Sequence, residues 1–362
     1  MTRSGRRRLA EDFRQGRRPA LARAISMVEA SRPGVADLLD EVLMVEPRAR
    51  RIGITGPPGA GKSSLATLLA KLLRERDEDV AIVAVDPTSP FSGGALLGDR
   101  IRMNELAVDP GIFIRSMATR GSLGGLAATT REVIDLLDAF GFANIIIETV
   151  GVGQTQFEIQ AAADSTVVVL VPESGDGIQA MKAGLMEIAD VFVVNKSDRI
   201  GADRLVREIG QALMLRSGRA SHDVPAHHGV DLTRIGRPET APPGGDPASA
   251  APRWEIPVLK TSAGRGEGID ELLAAILAHG RHLRDSGDLE TRRGRRALGR
   301  IRDVVERRLH RRAERFFASD PHLAEWVAQV QAGRATAYGV ADRIVPAILS
   351  RAPEVHDRAA ED

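Results

Sequence analysis

The densest chemistry in the chain is the run Gly56-Pro57-Pro58-Gly59-Ala60-Gly61-Lys62-Ser63, with Ser64 directly behind it. Glycines at the first and sixth positions let backbone N–H groups converge on phosphate oxygens, and a helix opening at this point would add the positive end of its dipole. Lys62 is then placed to reach β- and γ-phosphates, and Ser63 to hold Mg²⁺ through its hydroxyl. A Gly/Pro-rich turn ahead of an ordinary helix is the plain alternative. Against it stands the complete eight-residue spacing, set between an apolar run at 51–55 and a helical pattern at 64–73. Lysine usage adds weight: Lys62, Lys71, Lys182, Lys196 and Lys260 are the chain's five lysines among 50 basic residues. A compact ammonium is wanted here rather than a planar guanidinium.

Three carboxylates are candidates to work with that loop. Asp86 ends the β-rich run 80–85, Asp99 lies beyond the Gly-rich stretch 92–98, and Glu148 ends the isoleucine run 144–148. With Ser63 they form a candidate Mg²⁺ set, and with Lys62 a candidate catalytic set. For Asp86 and Asp99 a simple turn-capping role is the competing reading. Gly151, three places after Glu148, would offer its N–H to a γ-phosphate, so that loss of the phosphate releases the loop. Gln154 is a candidate water-positioner. Farther on, Asn195-Lys196-Ser197-Asp198 follows an apolar strand pattern. Asp198 would accept hydrogen bonds from guanine N1 and its exocyclic amine, with Asn195 and Lys196 bracing the loop. A pocket built on such bonds rejects adenine because mismatched buried polar groups stay unpaired. Ser262-Ala263-Gly264 would support the base from a second loop.

Short apolar runs alternate with helical patterns, as a buried parallel sheet requires. Strands are expected at 51–55, 80–85, 111–115, 144–148, 166–171, 191–194 and 256–263. A polar loop is expected at 116–121, and helices at 64–73, 125–140 and 268–284. Apolar spacing over 17–46, broken at Arg32-Pro33-Gly34, predicts two helices ahead of the sheet. Residues 216–253 hold many Pro, Gly, Ala and Ser with few large apolar side chains and read as a loop or disordered insertion. Its His222, His227 and His228 match no recognised metal spacing. The stretch 292–350 is helical, with Leu298, Ile301, Val304, Val305 and Leu309 on one face and a crowd of arginines elsewhere. The segments are therefore 1–46 (helical), 47–285 (nucleotide domain, α/β with a mostly parallel sheet) and 286–362 (helical arm).

Composition bounds the function. The 362 residues are 43% hydrophobic, enough for a substantial core, and the formal charge of +1 gives no whole-chain case for nucleic acid or membrane. No cysteine is present, which removes disulfides and thiolate metal sites. No apolar run reaches membrane-spanning length. The basic start lacks an apolar segment and is not a secretory signal, so a bacterial cytoplasmic location is expected, or a mitochondrial matrix location in a eukaryote. The arginine-rich helix could face RNA, but it lacks interleaved aromatics, and a solvated helix at an oligomer interface fits better.

Together, the loop 56–63, Asp86-Pro87-Thr88-Ser89-Pro90 with Gly93-Gly94 and Gly98-Asp99-Arg100, Glu148 to Gln154, Gly175-Asp176 with Ile178-Gln179 and Lys182-Ala183-Gly184, and Asn195 to Asp198 closely resemble the MeaB family, which includes the ArgK and methylmalonic aciduria type A proteins. Its members are GTPase chaperones of adenosylcobalamin-dependent acyl-CoA mutases. The resemblance implies a SIMIBI-like G domain, GTP or GDP with Mg²⁺ as ligands, and a homodimer formed through the C-terminal arm. It also implies docking on the mutase and gating of adenosylcobalamin delivery from an adenosyltransferase, with GTP hydrolysis slow alone and stimulated by the mutase. The loop 173–187 resembles the family's extra switch, with Lys182 a candidate for coupling partner to catalysis. The insertion 216–253 is longer than the family pattern. No D-x-H-x-x-G occurs, so no cobalamin is expected through a His ligand of this chain. Two other readings compete: a nickel-insertion type of metal-delivery GTPase, and a kinase of amino-acid-binding transport proteins.

Overall fold

A computed structural model describes residues 2–86, 104–106, 108–118, 128–149, 155–172, 184–216 and 253–350. Seven strands form one parallel sheet among the described residues: β1 (Arg50–Thr55), β2 (Val80–Asp86), β3 (Ile112–Ala118), β4 (Asn144–Thr149), β5 (Ser165–Leu170), β6 (Val191–Val194) and β7 (Val258–Lys260). Their spatial order is β3-β2-β4-β1-β5-β6-β7. The chain lays β2 to β4 on one side of β1 and β5 to β7 on the other. The sheet order thus reverses at β1, and the crevice beyond its C-terminal end is where ligands of open parallel sheets bind.

Strand residues alternate between two apolar layers, which is why these strands read as nearly unbroken apolar runs. Ile52, Ile54, Val167, Val169, Val191 and Val193 are buried with Leu65, Leu69 and Leu73 of α4 (Lys62–Arg74) and with Leu272 and Ile276 of α8 (Ile269–Asp285). On the other face Val168, Leu170, Phe192 and Val194 are buried with Leu205 and Ile209 of α7 (Ala202–Arg216). The same face of β1 meets α6 (Thr155–Ala162) at Gly53, where a Cβ would stand 2.8 Å from Ile159 and 3.0 Å from Ala163. Only bare backbone lets that helix settle so close. Beside it, α5 (Ala128–Phe140) covers β2 and β4.

β3 runs on to Ala118, so residues 116–118, expected in a polar loop, are strand. Ser116, Met117 and Ala118 pair with Ala84, Val85 and Asp86 along the whole of β2. The strand expected over 256–263 shrinks to β7, because Ser262 turns to bridge Glu267. The expected insertion lies outside the described residues except at its two ends.

The chain divides into two compact units, residues 43–292 and residues 1–42 with 293–362. The second unit contains α1 (Arg3–Arg14), α2 (Arg18–Glu29) and α3 (Val35–Val42), which lie against one another, and Phe13, Leu21, Ile25 and Leu38 are fully buried. It also contains most of the 32-residue α9 (Asp288–Ser319), followed by α10 (Leu323–Gln331) and α11 (Ala337–Ser350). Phe316, Val340, Ile344 and Ile348 gather there, and the Trp326 ring stacks parallel to Phe316. Leu298, Ile301, Val305 and Leu309 of α9 form a stripe that is 43–62% exposed in the single chain. Among the described residues no helix is long and apolar enough to cross a membrane.

Candidate nucleotide site

β1 delivers the chain into the loop 56–61 and α4 takes it out. Gly56 has φ +143°, and a side chain there would run into the Val169 backbone carbonyl of the neighbouring strand. Gly59 (φ +73°) and Gly61 (φ +87°) adopt the left-handed conformation, which curls the loop back over the start of α4. Pro57, Pro58 and Ala60 complete the curl, and Ser64 faces solvent in the first turn of α4.

Lys62 is 5% exposed and its Nζ donates to the carbonyls of Gly56 (3.0 Å) and Pro57 (2.9 Å). A phosphate oxygen is a stronger partner for an ammonium than these neutral carbonyls. Ser63 Oγ donates to Glu148 Oε1 at 2.6 Å, with Glu148 1% exposed. A hydroxyl beside a carboxylate is a hard-oxygen donor set of the kind Mg²⁺ takes. The structure therefore brings Lys62, Ser63 and Glu148 together. Asp86 closes β2, one strand beyond β4, and its side chain lies outside the described set. Asp99, Gly151, Gln154 and Lys182 also lie outside the described residues.

The second half of the site follows β6 and β7. Asn195 ties three loops: its Nδ2 donates to the Ala60 carbonyl (2.7 Å), and its Oδ1 accepts from Thr261 Oγ1 and the Ala263 N–H (both 3.1 Å). Lys196 takes φ +56°, an uncommon left-handed turn for a side-chain-bearing residue, and the Ser197 N–H bonds the Thr261 carbonyl at 3.0 Å. Ser262 Oγ donates to Asp198 Oδ1 at 2.8 Å. That bond, with a local backbone bond and the nearby Arg265, holds the Asp198 carboxyl below its ordinary range, so it is an acceptor at neutral pH. Ala263 and Gly264 continue the second loop.

Two features escaped the motif reading. Thr149 Oγ1 donates to Thr55 Oγ1 at 3.0 Å, joining the ends of β4 and β1; the only sequence signal was a hydroxyl closing each of two apolar strands. At the opposite end of the strands, just before β6, Asp190 forms a hub. Its Oδ2 accepts from the Thr166 N–H (2.8 Å), Arg292 grips both its oxygens (2.8 and 3.0 Å), and His279 Nε2 stands 3.3 Å away. His279 Nδ1 lies 2.7 Å from Ser165 Oγ, and Trp254 Nε1 donates to the Asp190 carbonyl. Asp190, Trp254, His279 and Arg292 border a cavity of about 400 Å³. No spacing rule links residues so far apart in the chain.

A family model described as "Methylmalonyl Co-A mutase-associated GTPase MeaB" matches residues 21–317. The chain belongs to the MeaB family. A Pyrococcus horikoshii protein named as a GTPase is 39% identical across 95% of this chain and 98% of its own length. The mouse mitochondrial methylmalonic aciduria type A homolog is 34% identical over 79% of this chain and 66% of its own, and Escherichia coli GTPase ArgK 33% over 81% and 82%. Among solved structures, the "LAO/AO transport system kinase" matches with a TM-score of 0.64 at 25% identity, covering 96% of this chain and 99% of that one. This MeaB-family chain is a P-loop GTPase and binds guanine nucleotide.

Proposed function

We propose that this MeaB-family GTPase docks on an adenosylcobalamin-dependent acyl-CoA mutase, methylmalonyl-CoA mutase or a close relative, and gates the loading and upkeep of its cofactor. The observation that carries the reading is the match of residues 21–317 to a family described as mutase-associated. In this reading the backbone of residues 56–64 and the Lys62 ammonium clasp the phosphates, while Asp198, with Asn195, Lys196 and the 262–264 loop, selects guanine. Ser63 and Glu148, joined by Asp86 and Asp99, would hold Mg²⁺, whose charge offsets that of the β- and γ-oxygens. Lys62 follows charge from ground state to transition state and supplies stabilisation that a rigid loop need not reorganise to give. Gly151 and Lys182 carry the nucleotide state to the partner. A loop transmits that state only if its two arrangements bind the partner with different affinity.

The exposed α9 stripe of Leu298, Ile301, Val305 and Leu309 supports a homodimer, since such a run on one helix face seeks an apolar partner. The adenosyltransferase is a second partner, and the reading places the protein in a bacterial cytoplasm or a mitochondrial matrix. The test is co-purification with the mutase of the same host, with GTP turnover measured with and without it. Stable association and faster turnover are expected; a mutase that neither binds nor accelerates the GTPase refutes the reading. The name of the similar solved structure, "LAO/AO transport system kinase", favours a second reading, phosphoryl transfer to a transport-system protein. Label from γ-labelled GTP appearing on such a protein rather than in free phosphate would establish it.

A further inference from the structure

We propose that Thr55 and Thr149 are positioning residues of the GTPase reaction, their hydroxyl pair closing a ring that fixes the phosphate-binding lysine against the acidic strand. The proposal rests on the site reading above. The ring can be walked atom by atom. Lys62 Nζ holds the Gly56 carbonyl at 3.0 Å, and Gly56 is bonded to Thr55. Thr55 Oγ1 accepts from Thr149 Oγ1 at 3.0 Å, and Thr149 is bonded to Glu148. Glu148 Oε1 accepts from Ser63 Oγ at 2.6 Å, and Ser63 is bonded to Lys62.

Three covalent links and three side-chain hydrogen bonds thus join Lys62, Ser63 and Glu148 in one closed ring. The β1–β4 ladder pairs Ile54 with Glu148, so the hydroxyl bridge begins one residue beyond the last recorded pair. There the two strands part toward separate loops, and the threonine pair is the described bond between their ends. Thr55 is 0% and Thr149 1% exposed. The two hydroxyls are bonded to each other, so each acts on the site through its chain neighbour, Gly56 or Glu148. Catalytic groups must be held to within roughly 0.5 Å, and a swing of the β4 end relative to β1 would move Glu148 from Ser63 while leaving the loop 56–61 intact. The pair therefore bears on turnover more than on nucleotide affinity.

Valine replaces threonine at nearly equal volume and removes only the hydroxyl. The full-length protein is compared as wild type, Thr55→Val, Thr149→Val, Thr149→Ser and the double valine variant. The readouts are GDP affinity, single-turnover GTP hydrolysis and thermal midpoint. Thr149→Val is expected to keep GDP affinity within about two-fold and to lose about ten-fold or more in hydrolysis, with Thr149→Ser restoring it. Each single valine strands one buried hydroxyl and lowers the midpoint, whereas the double variant strands none and recovers it. The decisive expectation is that the double variant remains slow. Recovery of hydrolysis together with stability, a wild-type rate in Thr149→Val, or failure of serine to rescue would overturn the proposal. Failure of the underlying site reading looks different: undiminished hydrolysis in Lys62→Ala.

Discussion

Lowering the pH should destabilise the protein through one imidazole. His279 is 1% exposed, between Ser165 Oγ and Asp190. Burial pushes its pKa down first; Asp190 and Asp164 pull it up, but Arg292 and His282 oppose them, and it falls to about 4. The unfolded chain has an ordinary histidine near pH 6.5. Because the folded value is the lower, the unfolded state holds the extra proton between pH 6.5 and 4. This stabilising contribution is complete above 6.5 and drains away as pH falls toward 4. At about 1.4 kcal/mol per unit, the drop from pH 8 to pH 5 removes about 2 kcal/mol, before most carboxylates begin to titrate. Urea unfolding of wild type and His279→Gln over that range isolates the contribution, since glutamine carries no titrating proton. The wild-type curve should fall more steeply, by nearly one proton between pH 6 and 5. Parallel curves for the two proteins would refute the assignment.

The remaining predictions concern the site and the core. Lys62→Ala should reduce GTP hydrolysis by roughly 10²–10³-fold, the usual loss for one preorganised donor, read in a phosphate-release assay. Asp198→Asn should relax base choice while leaving the fold intact, because Ser262 can still donate to the amide oxygen; GTP-over-ATP preference in competition binding should fall by at least about ten-fold. Arg51→Met should destabilise by about 3–5 kcal/mol in urea titration, because it strands a buried partner. Arg51 is 5% exposed and holds Asp138 at 2.8 Å, with Asp135 at 3.1 Å. Burial alone would raise Asp138, but Arg51 and the amides of Ala49 and Arg48 overcome it and hold the carboxyl low.

What the sequence disclosed follows from the range of the forces involved. The P-loop, the apolar runs of β1, β4, β5 and β6, and the helical stretch 292–350, found as most of α9 with α10 and α11, are local patterns of period and turn chemistry. Ser63 and Glu148 lie 85 residues apart, and their meeting was legible because Ser63 opens the helix that follows β1 and Glu148 lies at the end of β4, two strand ends that a parallel sheet sets side by side. The extension of β3 through Ser116 was hidden because it depends on β2 offering a full-length edge, a long-range fact. α1 carries Leu9 and Phe13 amid arginines, too sparse a face to announce a helix without its neighbours. The Asp190 hub draws on residues from 165 to 292, and no spacing foretells such a gathering.

Gly53 imposes a constraint of another kind. With Ile159 and Ala163 standing where a methyl group would go, the helix after the acidic strand rides directly on the peptide planes of the strand that feeds the phosphate loop. Engineering that stiffens glycines elsewhere would here act as a wedge, prying two mechanically joined parts of the molecule apart while touching no residue that meets the nucleotide.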